Sequence, residues 1–363
     1  MLVYISLMLW YGIVHVLWVK VRPFEFLMDV IPTIIISGMR NISVGIDTKM
    51  YVNLFEELKT VTGFNSFSPY DTQHFGRLFL TFTQLCAHMF NSYHSFLIIC
   101  SVIALIPLLF FVYKTTDNLF LGFLIFSLMN GLVTSMNIMR QAMAMSVCYL
   151  GIYFWTKSKL ARSIICFLLG IALHSTTIVL FGVFIISLIP FKKIYILLGG
   201  IFGGVLYILY YPIMNIVVMF FPGYSYYLTS AYIQQFSGGQ IATFLSILMF
   251  LILTIFICYT QEEKEWPDIS TQRLKLENTA QWFLVSAMTF SIMTLRFSQA
   301  TRLSYMFTLI LPFIMYDSIQ KTHAKRGHLV ITIFLFVVLI CYYLVIQIFR
   351  QQWYGVVPYI FGN

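Results

Sequence analysis

Along this chain the apolar positions gather into long runs, and short polar stretches between them carry most of the charge. An apolar run of about 18 or more residues, wound as a helix, reaches the roughly 30 Å depth of a bilayer's hydrocarbon. The pattern predicts membrane segments over about 3–19, 24–38, 95–113, 119–135, 141–156, 163–189, 194–213, 241–260, 281–296, 303–318 and 329–349. The ten-residue alternating segments of a membrane barrel do not occur. The expected fold class is all-α: a polytopic integral membrane helical bundle of about 10–12 segments, one of them re-entrant, over a single domain spanning residues 1–363.

Composition narrows the class without changing it. Hydrophobic residues make up 60% of the chain and charged residues 10%, against about 25% charged in a soluble domain. The net charge of +9 raises nucleic acid as a partner, but the basic residues sit in short loops between apolar runs, where membrane topology accounts for them. No nucleic-acid partner is expected. The six cysteines, Cys86, Cys100, Cys148, Cys166, Cys258 and Cys341, lie singly in apolar runs and read as small core hydrophobes. The chain opens hydrophobic at Leu2 with no basic leader, which reads as a retained helix and not a cleaved signal peptide.

Lysine and arginine in short loops report the cytoplasmic side. Placing Lys20/Arg22, Lys114, Lys157/Lys159/Arg162, Lys192/Lys193, the charged loop 261–279 and Lys321/Lys325/Arg326 there has two consequences. Residues 39–94 form an external segment, with 75–92 an interfacial or re-entrant helix. Residues 163–189 must enter and return on one side, with a tip near "LHST" at 173–176. Non-helical backbone at that depth is tolerated only where protein or a water-filled cavity covers it.

This orientation leaves Arg40, Arg77, Arg140, Arg296, Arg302 and Arg350 at the external ends of spans, beside few lysines. The charge rule for topology does not ask for them. A guanidinium is a planar fork that grips phosphate with two parallel hydrogen bonds and keeps its charge at any physiological pH. Arginines converging at headgroup level suit a diphosphate; singly, each also suits an interfacial anchor. Arg140 stands with Asn137 and Gln141, and Arg302 with Tyr305 one turn on. The external loop 222–240 is rich in tyrosine, as a sugar platform or an interfacial aromatic belt would be.

Two residue types could move a proton. His174 sits deep in an apolar segment, either satisfied by Ser175 or a carbonyl, or facing an outward cavity as a proton-transfer group. Asp47 lies just past a helix end, with Arg40, Gly45 and Tyr51 about it. Asp29, inside a predicted span, carries the suspicion due to any intramembrane acid, with His15 as a candidate partner. The sequence has no P-loop, no G-x-G-x-x-G after a strand, no H-E-x-x-H and no D-x-D pair. No metal and no cofactor are expected, and coupling to ATP is not indicated.

Four short motifs follow one another: R-x4-G-x-D-x3-Y at Arg40, Gly45, Asp47 and Tyr51; N-x2-R-Q at Asn137, Arg140 and Gln141; LHST at 173–176; and R-x2-Y at Arg302 and Tyr305. Their order and spacing resemble the EpsG family, allied to the Wzy-type polymerases of O-antigen and capsular polysaccharide. The resemblance implies a glycosyltransferase without a metal, in the bacterial cytoplasmic membrane with its site facing outside. It would join oligosaccharide repeat units carried on undecaprenyl diphosphate, both donor and acceptor being lipid-linked. It implies Arg40, Asp47, Arg140, His174 and Arg302 as functional positions, to which phosphate chemistry adds Arg296. A flippase and a chain-length regulator of the same pathway are implied as partners alongside membrane lipids. His174 and Asp47 both remain candidates for the general base. A ligase shares this donor chemistry, and a lipid-linked sugar flippase or a polysaccharide acyltransferase stands as the alternative.

Overall fold

A computed structural model describes residues 1–63, 66–220, 222, 225, 228, 239–260, 271–297, 299–321 and 325–362. It is helical throughout, in keeping with a polytopic membrane protein. In chain order the helices are α1 (Leu2–Trp18), α2 (Arg22–Gly38), α3 (Thr48–Thr60), α4 (Pro69–Phe75), α5 (Arg77–Met89), α6 (Tyr93–Thr115), α7 (Leu119–Leu128), α8 (Gly131–Asn137), α9 (Met139–Thr156), α10 (Leu160–Leu173), α11 (Thr177–Ile186), α12 (Ile194–Ile208) and α13 (Tyr210–Phe220). Then follow α14 (Gly239–Thr260), α15 (Thr271–Met293), α16 (Ala300–Thr308), α17 (Leu311–Lys321), α18 (Lys325–Leu344), a π turn (Val345–Phe349) and α19 (Gln351–Tyr354). The chain divides into two compact units, residues 1–178 with 339–363, and residues 179–338.

By length and composition α6 and the stretch Thr332–Phe349 can each cross a membrane unaided. Two further expected spans are bent pairs, α7 with α8 at 53° and α12 with α13 at 77°. The first bend falls at Asn130, whose backbone is left-handed (φ 60°) and cannot continue a right-handed helix. The second falls at Leu209, just before Pro212, a residue without the N–H that an unbroken helix would need there. The expected span 303–318 is likewise interrupted between α16 and α17, where Pro312 opens the new helix. The charged stretch 261–279 differs from its reading as a loop: α15 begins at Thr271.

In unit 1, α9 packs between α6 and α10. Pro107 interrupts the ladder of α6, and the neighbouring Leu108 N–H donates to Ser146 Oγ on α9 at 3.0 Å. Phe111 meets Tyr149, and Phe110 meets Tyr153. Positions on both helices rise together, so α6 and α9 run parallel. One end of this set carries Arg22, which donates to the carbonyls of Tyr113 (3.0 Å) and Thr116 (2.6 Å), with Lys114 and Lys157 over neighbouring rings. The other end begins with Tyr93 on α6 and Met139 on α9. On α1 the faces alternate at helical spacing: Tyr4, Leu7, Tyr11 and Val14 are buried, while Leu9, Ile13 and Val16 are exposed.

His15 does not pair with Asp29. Its Nδ1 lies 2.6 Å from Glu25 Oε1, one turn nearer the start of α2, because that carboxylate faces α1. Asp29 is fully buried and neither of its carboxylate oxygens accepts a hydrogen bond. Four of the cysteines are buried as expected, but Cys341 on α18 is exposed; Cys258 has a side chain outside the described residues.

In unit 2, α15 packs against α12, α14, α16 and α17. The polar first turns of α15 are held by Arg273, which bonds the buried Asp317 (Nε to Oδ1, 2.8 Å) and lies 3.4 Å from Glu277. Gly199 lies so close to Val285 and Thr289 that a Cβ would overlap the valine, and Thr289 Oγ1 donates to the Gly199 carbonyl at 2.9 Å. At the other end of α15, Tyr210, Met214, Met293, Phe297 and Ala300 form a buried cluster.

Candidate active site

The loop after α2 is built to be rigid. α2 ends at Gly38, and the Arg40 side chain turns inward until it is fully buried. Its guanidinium donates to Thr48 Oγ1 at 3.1 Å, to the Met136 carbonyl at 3.1 Å and to the Ser37 carbonyl. The backbone on either side pairs with a distant segment. Asn41 N–H donates to the Ile360 carbonyl (2.9 Å), Gly362 N–H to Met39 (2.8 Å) and Gly45 N–H to Gly355 (2.8 Å). Asn137 Oδ1 accepts the Ile46 N–H at 2.7 Å, while its amide nitrogen donates to Val133. Two of the four motifs therefore meet here, and Arg40 and Asn137 hold the loop from within.

Gly45 takes φ +94°, and a Cβ there would stand 2.6 Å from Thr48 Oγ1, the atom that both accepts from Arg40 and donates to Val44. Gly45→Ala is accordingly expected to cost about 1–3 kcal/mol from the left-handed backbone. Thermal unfolding of the purified chain should show a lower midpoint than wild type, and an unchanged midpoint would mean that the loop tolerates the side chain.

The loop delivers Asp47 to the start of α3, half-buried and making no cap to that helix. Tyr51, one turn on, is buried with its ring edge on Phe79 (5.8 Å). Opposite, Arg140 stands in the first turn of α9, where the aligned peptide dipoles already favour an anion. A cation at that end opposes the dipole, and together the two make a positive corner suited to phosphate. Arg140 Nη1 donates to the His74 carbonyl at 2.9 Å, and the guanidinium lies 5.8 Å and 5.9 Å from the ring centres of Phe75 and Phe79. Gln141 beside it is buried.

The short helix α4 presents that carbonyl. Ser68 Oγ accepts the Asp71 N–H (3.0 Å) and donates to Asp71 Oδ2 (2.6 Å), and Pro69 supplies a preset first turn. The His74 ring stands edge-on to Phe75 at 4.7 Å. Partial burial and then the Arg140 charge hold its pKa below the ordinary value, against the pull of Asp71 and Asp47. His74 thus feels the charges of Arg140, Asp71 and Asp47 at one end of unit 1, the end away from Arg22, Lys114 and Lys157.

His174 is brought to the same level. Gly151 meets Ser163 and Cys166, and Gly170 meets Ala144 and Cys148, so α9 and α10 run antiparallel. Continuing that register puts His174, the residue after α10, level with the first turn of α9. There the chain leaves the helix, near the tip that the loop charges predict, and re-enters it at Thr177. His174 Nδ1 faces Thr176 Oγ1 at 3.3 Å, and its carbonyl accepts from Thr177 Oγ1 at 2.8 Å.

Arg296 and Arg302 belong to unit 2. Arg296 lies 5.1 Å from the centre of the Tyr211 ring. Arg302 occupies the first turn of α16, half-buried, with Tyr305 on the same face. Most of the tyrosine-rich loop 222–240 lies outside the described residues.

Sequence reasoning passed over His74. The signal was a capped polar turn, Ser68-Pro69-x-Asp71, inside a stretch read only as external: such a cap orders the residues that follow it. A model of the EpsG family matches residues 26–361, nearly the whole chain. No curated protein and no solved structure matches it.

Proposed function

The chain belongs to the EpsG family of Wzy-like polysaccharide polymerases, and from that premise we propose that it joins lipid-diphosphate-linked oligosaccharide repeat units into a polysaccharide. In this reading the carrier is undecaprenyl diphosphate, the product is O-antigen, capsule or exopolysaccharide, and the site faces the outer side of the bacterial cytoplasmic membrane. The observation that carries it is the placement of Asp47, Arg140 and His174, from three separate motifs, at the end of unit 1 away from Arg22, Lys114 and Lys157.

The chemistry follows from the residue types. The donor sugar already bears a leaving group, its diphosphate, and the transition state has oxocarbenium character with negative charge growing on the departing oxygen. A guanidinium held beforehand in a partly dry corner stabilises that charge without reorganising, the service a divalent cation gives elsewhere. Arg140 is assigned that contact in unit 1, and Arg296 and Arg302 are the candidates in unit 2. Asp47 or His174 accepts the proton of the attacking hydroxyl, or orients the group that does. Arg40, Asn137 and Tyr51 support the loop, and Gln141 and Tyr305 support their neighbouring arginines.

Complementation of a strain lacking the chain tests the reading, with surface glycan run on a gel. Single repeat units in the null strain, extended to a ladder by wild type, are expected. Lipid-linked units accumulating on the cytoplasmic face would mark a flippase instead. A full ladder lacking only acyl groups would mark an acyltransferase.

A further inference from the structure

Resting on the polymerase reading, we propose that His74 is the proton acceptor of the reaction, and that α4 exists to carry its imidazole beside the phosphate-binding guanidinium. The argument starts from one residue doing two things. The His74 carbonyl accepts from Arg140 Nη1 at 2.9 Å, so one hydrogen bond holds that guanidinium against the same residue that carries the imidazole. An anion held by Arg140 lies within a side chain's length of it. The ring is solvent-accessible, while Phe75, edge-on at 4.7 Å, limits its swing.

The charges around the ring suit a base. Asp71 comes from its own helix, Asp47 from the start of α3 and Arg140 from α9; α5, also packed on α4, opens with the exposed Arg77. Burial and Arg140 favour the neutral ring, so at neutral pH an imidazole nitrogen carries a lone pair able to take a proton. Asp47 then stabilises the imidazolium. In the step, the acceptor's O–H bond breaks as its oxygen bonds to the anomeric carbon, and the bond from that carbon to the donor diphosphate breaks. The proton goes to His74, and the electron pair leaves with the lipid diphosphate, which Arg140 retains.

The test uses membranes holding the full chain, loaded with lipid-linked repeat units extracted from the null strain, with polymer formed per mole of chain followed against pH. His74→Gln leaves the backbone carbonyl and its bond to Arg140 in place. It is expected to lower the rate about 100-fold or more. In wild type the rate should fall on the acid side with a midpoint below the ordinary histidine value near 6.5. Asp71 pulls the ring's pKa up, so Asp71→Asn should move that midpoint lower still while keeping the rate at high pH; a purely structural α4 would not move it. A His74→Gln rate within a few-fold of wild type overturns the proposal, as does an acid limb that survives His74→Gln and vanishes in His174→Gln. If wild-type membranes extend no repeat units at any pH, the polymerase reading itself fails.

Discussion

Arg140→Ala is expected to leave the chain folded in the membrane while lowering polymer formation on the order of 10²–10³-fold, the loss typical of removing one preorganised donor from a developing anion. The side chain also donates to the His74 carbonyl. It is half-buried at the end of unit 1, and the His74 carbonyl it leaves behind can turn to water. The contacts with Phe75 and Phe79 are worth about 0.5–1 kcal/mol at such a site. Arg140→Lys should fall between, since an ammonium keeps the charge and loses the two-pronged grip. The measurement is the initial rate of polymer formation per mole of chain, with the thermal midpoint taken on the same preparation. A full rate in Arg140→Ala would assign the diphosphate elsewhere.

Arg40→Ala should do the reverse. The side chain is fully buried, and its removal strands the Ser37 and Met136 carbonyls and leaves Thr48 Oγ1 with Val44 as its remaining partner. Each lost partner costs about 1–3 kcal/mol, a sum comparable with the 5–15 kcal/mol that holds a typical protein folded. The chain is therefore expected to be missing from the membrane or to elute aggregated in detergent. Recovery of Arg40→Ala at wild-type yield and thermal midpoint, yet without activity, would make Arg40 a ligand-binding residue after all.

These two arginines show where reading the sequence ends. Both stand at the edge of an apolar run beside polar neighbours, Asn41 for the one and Asn137 and Gln141 for the other, and both suit a phosphate by chemistry alone. What separates them is the partner of the surrounding backbone. The Arg40 loop is covered by residues 354–362, over 300 positions away, and no local pattern encodes a pairing at that range. The helices themselves were legible, because an apolar run records its own length: α1, α2, α6 and α9 lie within a few residues of the expected bounds. The break at His174 was legible too, through the charge balance of the loops on either side. The bend at Asn130 was not, since one left-handed residue inside an apolar run leaves hydropathy unchanged. His74 escaped because its importance rests on a main-chain oxygen, an atom that every residue has.

The pairing of the 39–46 loop with 354–362 also sets a schedule. A ribosome adding about 5–20 residues per second makes the later strip of chain tens of seconds after the loop. Through that interval α1 and α2 are already inserted, while Met39, Asn41, Gly45 and Ile46 have yet to meet their backbone partners and Tyr4 and Tyr359 have yet to find the carbonyls they cap. The 39–46 loop, which leads into Asp47, is then expected to close last, so a chain truncated before residue 354 is expected to carry that loop without its backbone partners. On the polymerase reading, only chains carried through to that strip are then expected to build polymer.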